Sequence, residues 1–475
     1  MARLTDVLIV GAGISGIDVA YRIREARPDL TIRILEARST MAGTWDLFRY
    51  PGVRSDSDFF TLAFPFRPWH GTQSIVDGET IRRYVHDTAR ETRINDLIVY
   101  GTRVTSAEWS TTAARWHVGT GNGAWTARFL VFCTGYYDYD MPHDPEFKGL
   151  DEFTGRVVHP QHWPDDLDFT DRRVLVVGSG ATAVTLVPAM ARTAAHVTML
   201  QRTPAYVLAQ PRRDRIAGAL RRVLPPAAAY RLARSKNITM QWLLYRACRR
   251  FPALMRGLLR KGVIAGTGSA AIADRDFNPP YAPWDQRLCI VPDGDLFTAV
   301  RDGTASVVTA RIDRFVPEGV QLEDGRTLPA DVVVTATGLR IQLLGGVTIH
   351  RDGAPVDLSE SVAWHGTLLS GLPNLAVCIG YINLSWTVRA DLTARLLARL
   401  LRHMGDQGST VVTPVVPADP GETFPFMRMD SGYLKRSAHL MPRATARYPW
   451  AIRQDVMADA WATNRADLTD GLVYG

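Results

Sequence analysis

Residues 6–16 read DVLIVGAGISG, and residues 14–26 continue as ISGIDVAYRIREA. An apolar run enters a turn at Gly11 and leaves it on helical spacing, a strand–turn–helix unit. Gly11 permits the tight turn, Gly13 lets a pyrophosphate approach the backbone, and Gly16 lets the helix pack close to the strand. The free N–H groups of the helix N-terminus then face the phosphates. Twenty residues past Gly16 the strand TIRILE ends in Glu36, placed to accept hydrogen bonds from ribose hydroxyls.

The same grammar returns at residues 172–184, RRVLVVGSGATAV. Gly178, Gly180 and Ala183 hold the three positions, with Ser179, Ala181, Thr182 and Val184 between and after them. Its second strand, AHVTMLQR, ends in Arg202, followed by Thr203. A carboxylate at that place repels a 2′-phosphate, whereas a guanidinium pairs with it in bidentate fashion. The first loop therefore reads as an FAD site and the second as an NADPH site.

Two buried-looking strands end alike, FLVFCTG at Gly135 and DVVVTATG at Gly338, and mark where the chain leaves the first unit and returns. The expected fold is α/β, with two Rossmann-like dinucleotide-binding domains, the second inserted in the first. The FAD domain takes residues 1–145 and 336–475, the latter with a C-terminal tail. The NADPH domain takes 146–335 and carries a helical insertion at about 208–285. Between Val99 and Ala127, VTSAEWS, RWHVGT and AWTARF read as short antiparallel strands.

A chain of 475 residues exceeds a single core. Its 46% hydrophobic and 22% charged composition is that of a folded globular protein, which excludes a disordered chain. Met1 is followed almost at once by the first strand, leaving no room for a signal peptide, and no apolar run approaches the roughly 18 residues of a membrane span. Cys133, Cys248, Cys289 and Cys378 are scattered, with neither CxxC nor zinc spacing. A reduced, cytoplasmic, metal-free protein is expected.

Of the net charge of +7, the stretch Pro211–Lys261 holds fourteen Lys/Arg against Asp214 alone, leaving about −6 over the rest. Leu and Arg alternate there at helical spacing. The stretch reads as an Arg-rich helical insertion with a solvated face, or as a basic amphipathic surface for anionic lipid at the inner face of the cell membrane. No nucleic-acid module accompanies the charge.

Residues 153–164, FTGRVVHPQHWP, would in isolation be an aromatic anchor for a linker. Between the two loops they resemble the Baeyer–Villiger monooxygenase fingerprint FxGxxxHxxxWP, through Phe153, Gly155, His159, Trp163 and Pro164. Residues 42–58, AGTWDLFRYPGVRSDSD, resemble that family's second signature, through Gly43, Trp45, Tyr50, Pro51, Gly52 and Asp56. The likeness runs almost end to end and is strongest to the ethionamide-activating branch. It implies an FAD- and NADPH-dependent enzyme that inserts one atom of O2 into ketones through a C4a-peroxyflavin. Sulfides, thioamides or amines would serve as substrates if the peroxide acts as an electrophile.

The family's catalytic Arg matches Arg287 in PWDQRLC, with Asp56 as its acidic partner. Gln286 stands where larger relatives carry a Lys, which puts one phosphate contact in doubt. The resemblance further implies FAD contacts at Ser15, Thr44, Trp45, Asp46, Leu47, Arg54, Ser55 and Val104, a nicotinamide-side position for Trp386, and an inter-domain hinge at His159. A disulfide reductase shares the two-loop plan but needs a redox cysteine pair beside the flavin, and none is expected here. A membrane-docked flavoprotein without oxygenase turnover is the reading outside enzymology, and product formation with NADPH separates it. Oligomeric state and physiological substrate stay open.

Overall fold

The computed structural model describes residues 3–475. Strand Arg3–Val10 lies between two parallel neighbours, Gly123–Phe132 and Ile32–Leu35, the latter followed by Ile98–Val99. The C-terminal halves of Arg3–Val10 and Gly123–Phe132 are apolar and buried, as strands covered on both faces must be. Val104–Ser110, Arg115–Thr120 and Gly123–Phe132 form the expected antiparallel meander, and Leu375–Val377 adds in parallel to Gly123–Phe132. Helix Ile14–Ala26 covers the sheet, and the long amphipathic helix Trp386–Gln407 packs along it.

A second, five-stranded sheet is wholly parallel. Its order is Ala305–Thr309, His196–Gln201, Arg173–Val177, Val332–Thr335 and Arg156–Val158, with helix Ala181–Met190 following the central strand. The chain crosses from the first sheet to the second after Phe132 and returns after Thr335. Both crossings run off the C-terminal ends of parallel strands, where open α/β sheets bind ligands.

Strand Val207–Gln210 pairs in parallel with Cys289–Pro292. Between them lie helices Arg215–Val223, Pro226–Arg250, Pro252–Thr267 and Ala270–Asp276. Pro225–Pro226 and Pro252 set the starts of the two longest, where a missing N–H costs nothing. The solvated-face reading fails at Arg234. This buried side chain donates to the carbonyls of Phe60, Thr61 and Ala63 at 2.7–2.8 Å, ending the short helix Phe59–Leu62. Asn237 donates to Asp58 at 2.8 Å, so the insertion is fastened to the first unit by buried polar bonds. Among the described residues no helix is long and apolar enough to cross a membrane, and no group of three His, Cys, Asp or Glu is placed to hold a metal.

Candidate functional site

One cavity of about 1230 Å³ runs along both glycine loops. Single small-molecule sites usually fall at about 300–1,000 Å³, so it has room for more than one ligand. At the first loop Gly11 adopts φ +101°, and a side chain there would meet the Cys133 carbonyl at 2.7 Å. Gly13 caps the helix with no side-chain cap bond, and a Cβ there would meet only the Gly43 Cα, at 3.9 Å. Gly180 likewise caps its helix without a side-chain bond and faces open space, and Gly178 abuts the Ala336 carbonyl as Gly11 abuts Cys133. Each cradle leaves backbone donors free beside a void, which fits a dinucleotide pyrophosphate.

Ser15, Thr44, Trp45, Leu47, Arg54, Ser55, Asp56 and Val104 lie on the wall beside the first loop. Ser179, Ala181, Thr182, Arg202 and Thr203 line the part beside the second. Gly16 does not reach the wall; a side chain there would run into the Gly11 carbonyl. Ala183 and Val184 point into the core of the second unit. Asp46 is also off the wall: its buried carboxylate is held by Arg38 and Arg49, each at 2.7 Å. Arg54 reaches the wall but is paired with Asp295.

Glu36 lines the cavity with each carboxylate oxygen already accepting one backbone N–H, from Ala12 at 2.8 Å and Arg38 at 2.9 Å. Burial raises its pKa against the pull of those donors. Each oxygen keeps lone-pair capacity for a further donor.

Arg287 and Asp56, far apart in sequence, meet on the wall between the loops. Nε lies 2.7 Å from Oδ2 and Nη2 donates to Oδ1 at 2.9 Å, while Nη1 donates to the Ile382 carbonyl at 3.2 Å. Burial works against the charge on Arg287, but Asp56, with Tyr136, Tyr433 and Tyr137, outweighs it and holds the guanidinium pKa above its ordinary value. The fork is thereby fixed in direction and permanently charged.

The tyrosines around Arg287 escaped the sequence reading. The Tyr136 and Tyr137 hydroxyls are 3.0 Å apart, and the Tyr433 ring centroid lies 6.5 Å from that of Tyr137. Tyr139 bonds Thr44 at 2.9 Å, and burial pushes its pKa to about 12. The run GYYDYD directly after a strand end was the available signal. Trp386 stacks at 5.3 Å on Tyr136 and its Nε1–H donates to Ser15 Oγ at 2.7 Å, joining the first loop to the long helix.

The fingerprint segment lies behind the wall. Phe153 packs edge-on against Phe315, and Trp163 against Phe169. Gly155 is pressed against the Asp331 carbonyl, where a Cβ would sit at 2.5 Å, and Pro164 precedes a turn in which its carbonyl accepts from the Leu167 N–H. His159 Nδ1 accepts from the Gln161 N–H at 3.1 Å, while its buried Nε2 has no partner and burial lowers its pKa. The cysteines are less scattered than their spacing implies. Adjacent parallel strands set Cys133 and Cys378 side by side behind the first loop, both buried.

The arrangement defines a two-dinucleotide oxidoreductase with one charged, tyrosine-ringed centre between its loops. Residues 8–215 match the family model described as pyridine nucleotide-disulphide oxidoreductase. Over 99% of its length the chain is 48% identical to the putative FAD-containing monooxygenase MymA of Mycobacterium tuberculosis, covering 97% of that protein. It is 46% identical to the FAD-containing monooxygenase EthA of the same organism, covering 99% of this chain and 97% of that one. In fold it is similar to an oxidized steroid monooxygenase bound to NADP, with TM-score 0.79 and 22% identity over 99% of each chain. Open cyclohexanone monooxygenase gives TM-score 0.77 at 19% identity over 100% of each. The chain belongs to the FAD-containing monooxygenase family, in agreement with the resemblance its two signatures carry.

Proposed function

We propose that this protein is an FAD- and NADPH-dependent monooxygenase that inserts one atom of O2 into a ketone, giving an ester or lactone. FAD lies along the first loop and NADPH along the second, and the chain divides into FAD-binding residues 1–145 and 336–475 around an NADPH-binding 146–335. The observation that carries this is the Arg287–Asp56 pair, a fixed cation on the cavity wall between the two loops. When bound, FAD supplies the oxygen-activating chemistry. The protein's part is to orient it, exclude water and stabilise the negative charge that develops on oxygen.

Glu36 and the free N–H groups after Gly13 hold the adenosine end of FAD. Trp386, through Ser15, keeps the helix entry and the aromatic wall in one register. Asp56 and the Ile382 carbonyl aim Arg287, which cannot release a proton near neutral pH and so acts by charge alone. Arg287→Ala is expected to retain both coenzymes and lose ketone turnover by roughly 10²–10³-fold, the cost of removing one preorganised donor to a developing oxyanion. Sulfide oxidation, measured in the same panel with NADPH consumption, should fall less. Ketone turnover near the wild-type rate would remove the assignment.

The helical insertion supports a second role, contact with an anionic membrane surface. Ile216, Val223, Leu232, Met240, Leu243, Phe251, Leu254 and Leu258 are exposed there, among exposed Arg215, Arg221, Arg222, Arg231 and Arg250. At about 1 kcal/mol per engaged charge, binding to phosphatidylglycerol vesicles at low salt should exceed that to phosphatidylcholine and vanish at high salt. Equal sedimentation with both would leave only a solvated face.

A further inference from the structure

Three guanidinium groups on the cavity wall, those of Arg202, Arg311 and Arg436, have no carboxylate or carbonyl partner among the described residues. Arg202 follows strand His196–Gln201, and Arg436 lies on the short helix Gly432–Ser437 near the C-terminus; both line the cavity. Lys435 pairs with Asp430 at 3.0 Å and Arg287 with Asp56, while Arg311 is exposed on the strand-end loop after Ala305–Thr309. Arg436 folds back along its helix, with Nη1 3.2 Å from where a Cβ would stand on Gly432, itself a wall residue.

Partial burial and the charge of Arg202 both pull the Arg436 pKa down. Like charges brought together repel, so this juxtaposition does nothing for the ligand-free fold. An anion between them removes the repulsion and gives both forks acceptors. The place follows the second glycine loop by one strand, where a dinucleotide's adenosine ribose comes to lie.

We propose that Arg202 and Arg436 together bind the 2′-phosphate of NADPH, so that the C-terminal tail supplies half of the coenzyme's phosphate site. This rests on the reading of the second loop as the nucleotide site. Guanidinium forks match phosphate oxygens bidentately, and the Thr203 hydroxyl lies on the same wall. Gln286, also on the wall, brings no charge, and Arg436 supplies it from a different element. The helix that carries Arg436 carries Tyr433 one turn earlier, against Tyr137. Phosphate binding therefore also holds the tyrosine wall beside Arg287.

The test is calorimetric titration of the FAD-loaded protein with 2′,5′-ADP, 5′-AMP, NADP⁺ and NAD⁺, with flavin content and circular dichroism confirming each variant's fold. Arg436→Ala is expected to weaken 2′,5′-ADP and NADP⁺ roughly 10- to 100-fold, the scale of a charged hydrogen bond, while 5′-AMP and NAD⁺ stay within about 2-fold. Arg436→Lys should fall between, and Arg202→Ala should show the same selectivity. If Arg202→Ala loses 2′,5′-ADP and Arg436→Ala does not, or if Arg436→Ala weakens NAD⁺ and NADP⁺ equally, the tail does not read the phosphate although the second-loop reading stands. A wild-type protein that binds 5′-AMP as tightly as 2′,5′-ADP would overturn that reading, and the proposal with it.

Discussion

At the first glycine loop the strand end arrives finished. Glu36 is buried, and both its oxygens hold backbone N–H groups of the loop and of the following turn. At the second loop the strand end arrives open: Arg202 is exposed, on the cavity wall, with no side-chain partner among the described residues. The third loop position differs in the same sense. Gly16 is so close to the Gly11 carbonyl that no side chain fits, whereas Ala183 fits in the matching place. The first cradle is tight and its strand end already bonded; the second is looser and its strand end open, which fits the proposal of a resident coenzyme at the first and an exchanging one at the second.

The largest effects should separate the two cradles outright. Gly13→Val fills the void beside the first loop and should yield colourless protein, whereas Gly180→Val should yield yellow protein that fails to bind NADP⁺. A flavin-loaded Gly13→Val variant would break the comparison.

Next in size is the third position. Gly16→Ala pushes a methyl into the Gly11 carbonyl and should lower the melting temperature by several degrees and flavin content with it. Ala183→Gly adds backbone freedom within a helix and should cost about 0.5–1 kcal/mol by denaturant unfolding. Equal losses would mean that the two loops are equally tight.

The last contrast concerns the strand ends, where one variant of the pair should have no effect. Glu36→Gln replaces one acceptor oxygen with an NH2, leaving a backbone N–H of Ala12 or Arg38 facing a donor, at about 1–3 kcal/mol. Arg202→Gln removes a side chain without partners and should leave the melting temperature unchanged. Matching melting temperatures for the two variants would show that Glu36 is no more built in than Arg202.

The two loops were legible because their rule is local: strand, glycines and helix lie within a dozen residues. The meander 104–132 was legible for the same reason, through period-two alternation between turns. Asp56 and Arg287 came from the resemblance, since no spacing links positions so far apart. Arg234 looked like one more solvated charge, because helical periodicity cannot say that three carbonyls of another unit wait opposite it. Asp46 read as a cofactor contact, yet Arg38 and Arg49 already occupy it. Arg436 carried no signal, lying on a six-residue helix without a pattern.

The sequence by itself determined the two strand–turn–helix cradles, the sign of the charge at each strand end, and the meander. These depend on contacts within a few turns of chain, where residue type and spacing dictate geometry. The resemblance paired Asp56 with Arg287; only the tertiary structure decided that Tyr136, Tyr137 and Tyr433 ring that pair, and that Arg436 and Arg202 line one cavity. Those contacts join chain ends brought together by sheet order and crossover, and a long loop closes at a cost that grows only slowly with its length. Distance along the chain therefore leaves almost no trace of which residues will meet.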